Sequence, residues 1–425
     1  MIKNYDLTIS DYAAKTEFKL HEEPLPFVGS NEAVPIALDI GYSATNVYSM
    51  FGQHIFPSFP IRVTEDFSMV THETDIKYKD ENGIWYIGNL ARTAIEDGRI
   101  QAQSQTLFGR QRINSTEYLV LLRVGLFFGL IKKDLGNTYE IAKDMRLRIN
   151  TGLPDQYLSR DRLALKQRFV GHHYFEIKVG LKDWIKVSFD INEDDVNILS
   201  QPFGTLWALA ANRYGKVTNT DLLTKNVLIF DGGQHTIDTY FNRQGLKGVS
   251  STWENLSMVQ IIRNVRRRVR DATKGQGDFL EYAFDKIITS DKPGKIRYGR
   301  RQEYDISKDI IECTEEIAKE AARELDTIYN NLNEVDILIC TGGTGKAFYP
   351  YFKQYYNYEG LEVLLAEKTD SDNSVDNFSA VFANAVGFYN QLIAALNREY
   401  RTDPYNEAIE ESKQEVATTL SEQEI

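Results

Sequence analysis

Two aspartates, Asp39 and Asp231, each end a short apolar run and open an Asp-x-Gly turn that leads into a second apolar run. This pattern predicts a strand, a tight turn and a second strand, built twice in one chain. Glycine lets the turn approach a ligand closely and point its N–H groups at an anion. An aspartate at the strand end repels phosphate but can hold hydrated Mg²⁺, which bridges phosphate oxygens. Two such hairpins facing each other would clamp a nucleoside triphosphate between two halves of the protein.

A third glycine-rich turn, at residues 342–345, follows the predicted buried strand 335–340. The run 346–355 that follows is predicted to be a helix. Without side chains, the turn would offer a flat backbone platform for a purine and its ribose. A single turn of either kind is common in ordinary loops. The three turns in this order therefore carry the signal together.

With these turns the chain resembles the actin/Hsp70/sugar-kinase superfamily, and more narrowly the bacterial actin-like plasmid-segregation proteins of the ParM/StbA type. Further short stretches between about residues 34 and 398 carry the same resemblance, in the order of the family. They are residues 56–60, 85–91, 150–154, 200–205 and 382–389. The resemblance implies an α/β actin-like ATPase fold, with two duplicated RNase-H-like domains around a nucleotide cleft.

The resemblance also divides the chain into domains. Alternating strand and helix patterns agree with sheets covered by helices. Both ends are polar, so we expect little fixed structure there. For residues 1–30 the alternative is an arm that binds a partner or contacts a filament neighbour. The expected parts are an N-terminal extension (1–30), actin-like domain I with the first phosphate loop and the Gln201 segment (31–205), domain II with the second phosphate loop and the adenosine loop (206–383), a C-terminal helix returning to domain I (384–402) and a disordered tail (403–425).

Particular residues take roles from the resemblance. Asp39 and Asp231 would hold Mg²⁺ through water, and Gln201 would orient the attacking water. Because hydrolysis of a phosphoanhydride needs positioning more than covalent chemistry, and because glutamine is a weak base, we expect slow hydrolysis. ATP is the expected nucleotide, with GTP left open. The predicted nucleotide contacts are Gly41, Tyr42, Ser43, Ala44 and Thr45 in the first loop, Gly232, Gly233, Gln234, His235 and Thr236 in the second, and Gly342, Gly343, Thr344 and Lys346 in the third.

Two basic stretches follow the second loop. Residues 251–273 are predicted to be a helix, and in this superfamily the helix after the second phosphate loop borders the nucleotide. Its Arg263 or Arg267 would stack on the base or pair with the ribose side. Residues 292–301 are predicted to be a loop. Each stretch could instead be a solvated face, a filament contact to an acidic neighbour, or a docking site for DNA or an adaptor.

The loops depart from the family pattern at three positions. Asn46 stands where many relatives carry a lysine, so one positive charge near the phosphates is missing and Mg²⁺ or another lysine must compensate. Gln234 and His235 stand where relatives have two glycines. His235 either donates to a phosphate or points outward.

Composition limits the class of protein. The chain has 425 residues, of which 42% are hydrophobic, so it is expected to form two or more packed domains. A net charge of −12 argues against strong direct binding to DNA. No run of about 18 apolar residues and no signal-peptide core are present, so we expect no membrane association and a bacterial cytoplasmic location. Cys313 and Cys340, the two cysteines, are expected to be unpaired.

The sequence therefore predicts a slow ATPase that polymerises with ATP and Mg²⁺ into a filament of its own copies. The filament would segregate low-copy plasmid DNA through a DNA-binding adaptor on a centromere-like site. The alternatives are a small-molecule (sugar or carboxylate) kinase, a chaperone-like member, a cell-shape or division actin, and a filament with another cargo. Gln201 in place of an acid argues against a kinase, the short polar segment after Arg398 against a chaperone, and the lack of an apolar terminal helix face against a membrane-bound actin.

Overall fold

Strands and helices alternate along the first half of the chain. The computed structural model describes residues 8–27, 32–66, 72–96, 109–369 and 377–399. The strands of this half are β1 (Glu17–Leu20), β2 (Ala33–Ile40), β3 (Ala44–Ser49), β4 (Gly52–Pro57), β5 (Pro60–Val63), β6 (Ile76–Asp80), β7 (Gly83–Ile87), β8 (Ile131–Asp134), β9 (Tyr139–Ile141), β10 (Arg146–Leu153), β11 (Gly171–Val179), β12 (Ile185–Ile191) and β13 (Val196–Ser200). The helices are α1 (Asn89–Glu96), α2 (Thr116–Leu130), α3 (Asp155–Phe169) and α4 (Gln201–Ala210). We call these elements the first lobe.

The second half of the chain has longer helices and fewer strands. Its strands are β14 (Asn226–Gly232), β15 (Ile237–Arg243), β16 (Leu246–Lys247), β17 (Thr252–Trp253), β18 (Lys295–Tyr298), β19 (Gln302–Asp305), β20 (Ile337–Thr341) and β21 (Glu362–Leu365). Its helices are α5 (Asp221–Thr224), α6 (Met258–Ala272), α7 (Phe284–Thr289), α8 (Ser307–Ile328), α9 (Gly342–Tyr355) and α10 (Ala383–Glu399). We call the elements from β14 to β21 the second lobe.

Two sheets share one topology and form the centre of the fold. The first has the order β1-β4-β3-β2-β10-β13, and the second has the order β16-β15-β14-β20-β21, with β17 also paired to β15. In each sheet an antiparallel hairpin, β2–β3 or β14–β15, continues into two parallel strands. We call these the first hairpin and the second hairpin. The repeat confirms the predicted α/β fold of two duplicated RNase-H-like domains.

Two helices join the lobes. α4 packs against β13 of the first lobe and β14 of the second, and α10 packs against α4, β2 and β10. The helices cross at Gly204 and Gly387, where a Cβ atom on either glycine would collide with the backbone of the other helix. At the same crossing the Thr205 hydroxyl donates to Asn384 Oδ1 at 2.8 Å. Because the two backbones touch at the glycines, α10 is held directly against α4.

Both basic stretches of the second lobe fold differently from the sequence interpretation. The stretch 292–301, predicted as a loop, contains β18, which pairs with β19 in an antiparallel hairpin. Ile296 is buried between the exposed Lys295 and Arg297, so a two-residue alternation was hidden among charged residues. The helix predicted over 251–273 begins only at Met258, because β17 at its predicted start pairs with β15.

The helix predicted over 346–355 begins earlier in the structure, since α9 begins at Gly342. The helix α4 begins at Gln201. Pro202 in the first turn of α4 suits a helix start, since proline lacks only an N–H that has no partner there. The helix α10 begins at Ala383, one residue before the predicted start at 384.

The N-terminal extension was expected to have little fixed structure, and for residues 8–27 this was wrong. β1 pairs with β4 and forms the edge of the first sheet, and Phe18 on β1 stacks on Phe128 with 4.3 Å between ring centroids. Further along, Leu25 and Phe27 are buried. Before β1, a short 3-10 helix, Ile9–Tyr12, packs against α7 and α9 of the second lobe. The widely spaced apolar residues of a polar segment thus attach it to both lobes.

Two other expectations concern membranes and cysteines. Within the described ranges, no helix is both long and apolar enough to cross a membrane. Cys313 and Cys340 are both buried and unpaired. The tail predicted over 403–425, and the last residues of the predicted helix 384–402, lie outside the described residues.

Candidate active site

The turns of both hairpins face one cleft between the lobes. The cleft is also lined by the start of α9, the start of α4 and the N-terminal segment. Of the predicted site residues, the lining contains Asp39, Gly41, Tyr42, Ser43, Ala44, Gln201, Asp231, Gly233, Gln234, Thr236, Gly342, Gly343, Thr344 and Lys346. The structure therefore brings together side chains that lie up to three hundred residues apart in the sequence.

Asp39 is buried at the end of β2. Gln201 Nε2, at the first residue of α4, donates to Asp39 Oδ1 at 2.7 Å. Burial raises the pKa of Asp39, while the hydrogen bond from Gln201 and the charge of Arg112 act in the opposite direction. Asn384 and Asn46 also donate to this carboxylate. The first-lobe aspartate is thus held by several donors and lies near one cation.

Asp231 is buried at the corresponding position of β14. Its Oδ2 accepts from Asn384 Nδ2 at 2.8 Å. The pKa of Asp231 is raised to about 7, mainly by burial and also by the charges of Asp238 and Asp39, against the hydrogen bond from Asn384, which lowers it. Asp238 lies directly opposite Asp231 in the strand pair. The second-lobe aspartate therefore has an acidic neighbour where Asp39 has an amide.

The two turns have the same backbone geometry. Gly41 N donates to Ala44 O at 2.9 Å in the first turn, and Gly233 N donates to Thr236 O at 2.9 Å in the second. A Cβ atom at Gly41 or Gly233 would press on that same carbonyl oxygen, so both positions favour glycine. The match shows that the two Asp-x-Gly motifs are structural copies.

Three of the predicted nucleotide contacts do not line the cleft. The Thr45 hydroxyl lies 2.9 Å from Ser58 Oγ inside the sheet, because alternate residues of a strand point to opposite faces. Gly232 is packed against the backbone of Gly345. His235 packs on the ring of Tyr42 with 5.0 Å between centroids, and burial lowers its pKa to about 4, so this ring is neutral near pH 7.

The third turn forms the first residues of α9. Gly342 has a φ of +75°, which favours glycine, and its N–H donates to Ala380 O at 3.1 Å. The Thr344 hydroxyl donates to Gly233 O at 2.6 Å, so this turn is bonded to the second hairpin. Lys346 reaches Asp11 of the N-terminal segment, with 3.3 Å between Nζ and Oδ1.

The structure does not bring Arg263 and Arg267 into the cleft. α6 presents Met258 and Ile262, one helical turn apart, to the cleft instead. Arg263 Nε donates to Glu281 Oε1 at 2.8 Å on the outer side, and Arg267 is exposed. The apolar stripe of α6 faces inward, and both arginines therefore lie on its exposed side.

Sequence reasoning missed several cleft residues. Asp238 follows Thr236 by two positions, so hairpin pairing would have placed it opposite Asp231. Asn384 lay within a recognised stretch and bonds Asp231 in the structure. Arg112 and Asp11 had no sequence signal, since their segments approach the cleft only in the folded chain.

The donor set fits a hydrated divalent cation. Two buried carboxylates, Asp39 and Asp231, face one cleft from opposite lobes. Asn46 also lines the cleft, and its buried Oδ1 has no hydrogen-bond partner among the described residues. Carboxylate and amide oxygens suit Mg²⁺, which keeps several waters and binds through one or two carboxylates together with phosphates.

Comparison with known proteins agrees with this geometry. Residues 37–204 match the family described as the N-terminal domain of actin-like proteins. No curated protein matches the sequence.

Solved structures with this fold include two structures of ParM. A non-polymerisable quadruple mutant of pCBH ParM is 20% identical, with a TM-score of 0.63 over 84% of this chain and 98% of that one. A 15-stranded ParM filament from Clostridium botulinum is 19% identical, with a TM-score of 0.63 over 85% of this chain and 99% of that one.

An archaeal actin homologue in complex with ADP is 16% identical, with a TM-score of 0.59 over 84% of this chain and 98% of that one. Together, the match of residues 37–204 to an actin-like N-terminal domain, the duplicated sheets and the paired Asp-x-Gly turns show that this chain has the actin-like fold of the ParM structures.

Proposed function

We propose that the chain is an ATPase that polymerises with ATP and Mg²⁺ and segregates low-copy plasmid DNA through a DNA-binding adaptor. The observation that carries the proposal is the cleft itself, in which two copies of one anion-binding turn face each other with a buried aspartate behind each. Similarity to a 15-stranded ParM filament and to an ADP-bound actin homologue supports the polymer and the nucleotide. ATP is the nucleotide we propose, and GTP is tested beside it.

The residues divide the chemistry among themselves. Backbone N–H groups of the two turns bind the phosphates, and the third turn with Lys346 binds the nucleoside. Asp39 and Asp231 would hold hydrated Mg²⁺, and the cation would neutralise charge that develops on the phosphates. Gln201, fixed by its bond to Asp39, orients the attacking water. Because an amide is a poor proton acceptor, hydrolysis is slow enough to act as a timer of filament life.

Nucleotide binding is coupled to closure of the cleft because the residues that contact the nucleotide come from both lobes. We assign residues 31–205 and 384–402 to domain I and 206–383 to domain II; the packing of α10 on α4, β2 and β10 supports this division. A nucleotide that touches both turns closes the cleft between the domains. Closed protomers then stack head to tail through unlike surfaces, and a contact of that kind does not close on itself and produces a filament.

A separate adaptor is needed to hold the DNA. The net charge of −12 disfavours direct binding to the phosphate backbone. The arginines of α6 do not form a free basic face, since Arg266 pairs with Asp278 at 2.7 Å and Arg268 with Glu312 at 2.6 Å. We propose a cytoplasmic bacterial protein that binds an adaptor on centromere-like DNA.

Light scattering tests the proposal directly. Purified protein is mixed with Mg²⁺ and ATP, or GTP, and samples are examined by negative-stain microscopy, with Asp231→Ala as control. A fast rise, visible filaments and a later decay are expected, and the variant should stay silent. Bound nucleotide without any rise would contradict the filament, and nucleotide turnover that requires a sugar or carboxylate would replace it with a kinase.

A further inference from the structure

The phosphate-binding turns contain no lysine or arginine. In the first hairpin the position opposite Asp39 is occupied by Asn46, and in the second the position opposite Asp231 is occupied by Asp238. A nucleoside triphosphate adds three to four negative charges to this acidic pair, and a single Mg²⁺ offsets only two of them. Another cation must therefore come from outside the hairpins.

Four basic residues line the cleft within the described part of the chain: Lys15, Arg110, Arg112 and Lys346. Lys346 and Lys15 both lie near Asp11, with Nζ–Oδ1 distances of 3.3 and 3.7 Å.

Arg110 is engaged more tightly. Its Nε and Nη2 donate to the two carboxylate oxygens of Asp161 at 2.8 and 2.5 Å. Three of the four cations therefore already have a carboxylate partner.

Arg112 is the exception. It has no carboxylate partner among the described residues, and its Nη2 donates to the backbone oxygen of Ile40 at 2.6 Å. Its guanidinium carbon lies 3.9 Å from the centroid of the Tyr42 ring. Ile40 and Tyr42 flank Gly41 in the first turn, so the guanidinium is held beside that turn. A guanidinium has five N–H donors, and most of them remain available for a ligand.

Arg112 also lies beside the contact between the two hairpins. The Tyr42 ring, on which its guanidinium packs, contacts the His235 ring of the second turn with 5.0 Å between centroids. One cation therefore lies next to the ring that connects the two phosphate-binding turns.

We propose that Arg112 binds the polyphosphate chain of the nucleotide and replaces the cation that the first turn lacks. This inference rests on the proposed nucleotide site and adds a residue to it. Arginine suits the role because its planar fork bonds two phosphate oxygens at once. The segment that carries it, the 3-10 helix Arg110–Asn114, is separate from every phosphate turn, so the charge is supplied by a different part of the first lobe.

A purely structural role for Arg112, in which it only supports Tyr42, makes a different prediction. If Arg112 only stacks on the turn, removing it should weaken binding of every nucleotide by a similar factor. If it contacts the phosphates, the loss should grow with the number of phosphates. Calorimetric titration with ATP, ADP and AMP, each with Mg²⁺, separates the two roles.

For Arg112→Gln we expect the dissociation constant of ATP to rise by about 10- to 100-fold, since a charge-assisted hydrogen bond is lost. The rise should be smaller for ADP and slight for AMP. Arg112→Lys keeps the charge without the planar fork, so its dissociation constants should rise in the same order, ATP before ADP before AMP, but by smaller factors. This variant also provides the test if Arg112→Gln does not fold. Arg267→Gln removes an exposed arginine outside the cleft and should change none of the three constants.

Equal losses for ATP, ADP and AMP in both variants would overturn the role of Arg112 while leaving the nucleotide site intact. Absence of any nucleotide binding by the unaltered protein would instead overturn the proposed function, and with it this inference. The two failures are therefore distinguishable in one set of titrations.

Discussion

The first and second hairpins have the same backbone geometry, but the charges around their aspartates differ. Directly across from Asp39 stands Asn46, whereas directly across from Asp231 stands Asp238. Asp39 has Gln201, two asparagines and the charge of Arg112 around it. Asp231 has one asparagine and two acids, and its pKa is raised to about 7. The negative charge of the aspartate is therefore compensated by its neighbours in the first hairpin and is not compensated in the second.

This difference shows how a duplicated motif can divide its work. The first hairpin has protein donors and a nearby cation, so its carboxylate is stabilised before any ligand binds. In the second hairpin a buried carboxylate beside another acid is costly unless a cation arrives. We therefore expect the second lobe to respond more strongly to Mg²⁺ and nucleotide than the first.

The largest expected effect is at Asp231. Asp231→Asn should lower nucleotide hydrolysis by at least about 10²-fold, because the amide no longer attracts the cation. In the nucleotide-free protein at pH 8 the same change should raise the melting temperature, since it removes a buried charge without a cationic partner. Asp39→Asn should lower hydrolysis similarly but raise the melting temperature less. Phosphate-release assays and thermal unfolding measure both, and equal gains in melting temperature would contradict the asymmetry.

Gln201 tests whether the first lobe also positions water. Gln201→Ala should lower the hydrolysis rate by about 10²-fold, a loss typical for one positioned polar group. Nucleotide affinity should change little, because the side chain is bonded to Asp39 and not to a phosphate-binding turn. Single-turnover phosphate release and equilibrium titration separate the two quantities. Gln354→Ala, at an exposed position of α9, is the matched control, and a loss of affinity equal to the loss of rate would contradict the positioning role.

Exchanging the residues that lie opposite the two aspartates should make the two hairpins more alike in their effect on stability. Asn46→Asp places two buried carboxylates opposite each other in the first hairpin and should lower the free energy of unfolding by about 1–3 kcal/mol. Asp238→Asn removes such a pair and should raise the free energy of unfolding by up to about 1 kcal/mol; the gain is smaller because either Thr252 or Thr236 loses its acceptor oxygen. Urea unfolding without nucleotide at pH 8 measures both. Changes of the same sign would show that the opposed residue does not set the difference.

The outer edges of the two hairpins differ as well. This difference should have the smallest effect of all on the free energy of unfolding near neutral pH. On its outer side β3 is covered by β4 and then β1. The outer side of β15 is covered only by the two-residue strands β16 and β17. His54 on β4 lies under β1 near Phe18, and neither ring nitrogen has a hydrogen-bond partner among the described residues. Burial lowers its pKa to about 3.

The folded protein therefore keeps His54 neutral while the unfolded chain binds a proton below about pH 6.5. Stability should fall as the pH drops below that value, by about 1.4 kcal/mol per pH unit from this group. His54→Phe should remove this part of the acid dependence. Urea unfolding at pH 8, 6 and 5 measures it, with pH 8 as the internal control. An unchanged slope in the variant would assign the acid dependence elsewhere.

Sequence reasoning succeeded where the signal is local. A strand, an Asp-x-Gly turn and a second strand are encoded within about a dozen residues, so the turns around Gly41 and Gly233 could be found from spacing alone. The duplicated α/β fold followed from that repeat and is confirmed. The N-terminal extension was misjudged because Phe18 and Leu20 look isolated in the sequence. Only pairing with β4 gives them a buried surface.

The sequence by itself determined the two aspartates, the three glycine-rich turns and the alternation of strands and helices, because these depend on backbone freedom and short-range periodicity. The tertiary structure alone decided which side chains surround them. Asn384 reaches Asp231 from the end of the described chain, and Arg112 reaches the first turn from an unrelated segment. The pKa of a buried carboxylate depends on every charge and donor within a few ångströms, and those neighbours are set by folding, whatever their order along the chain.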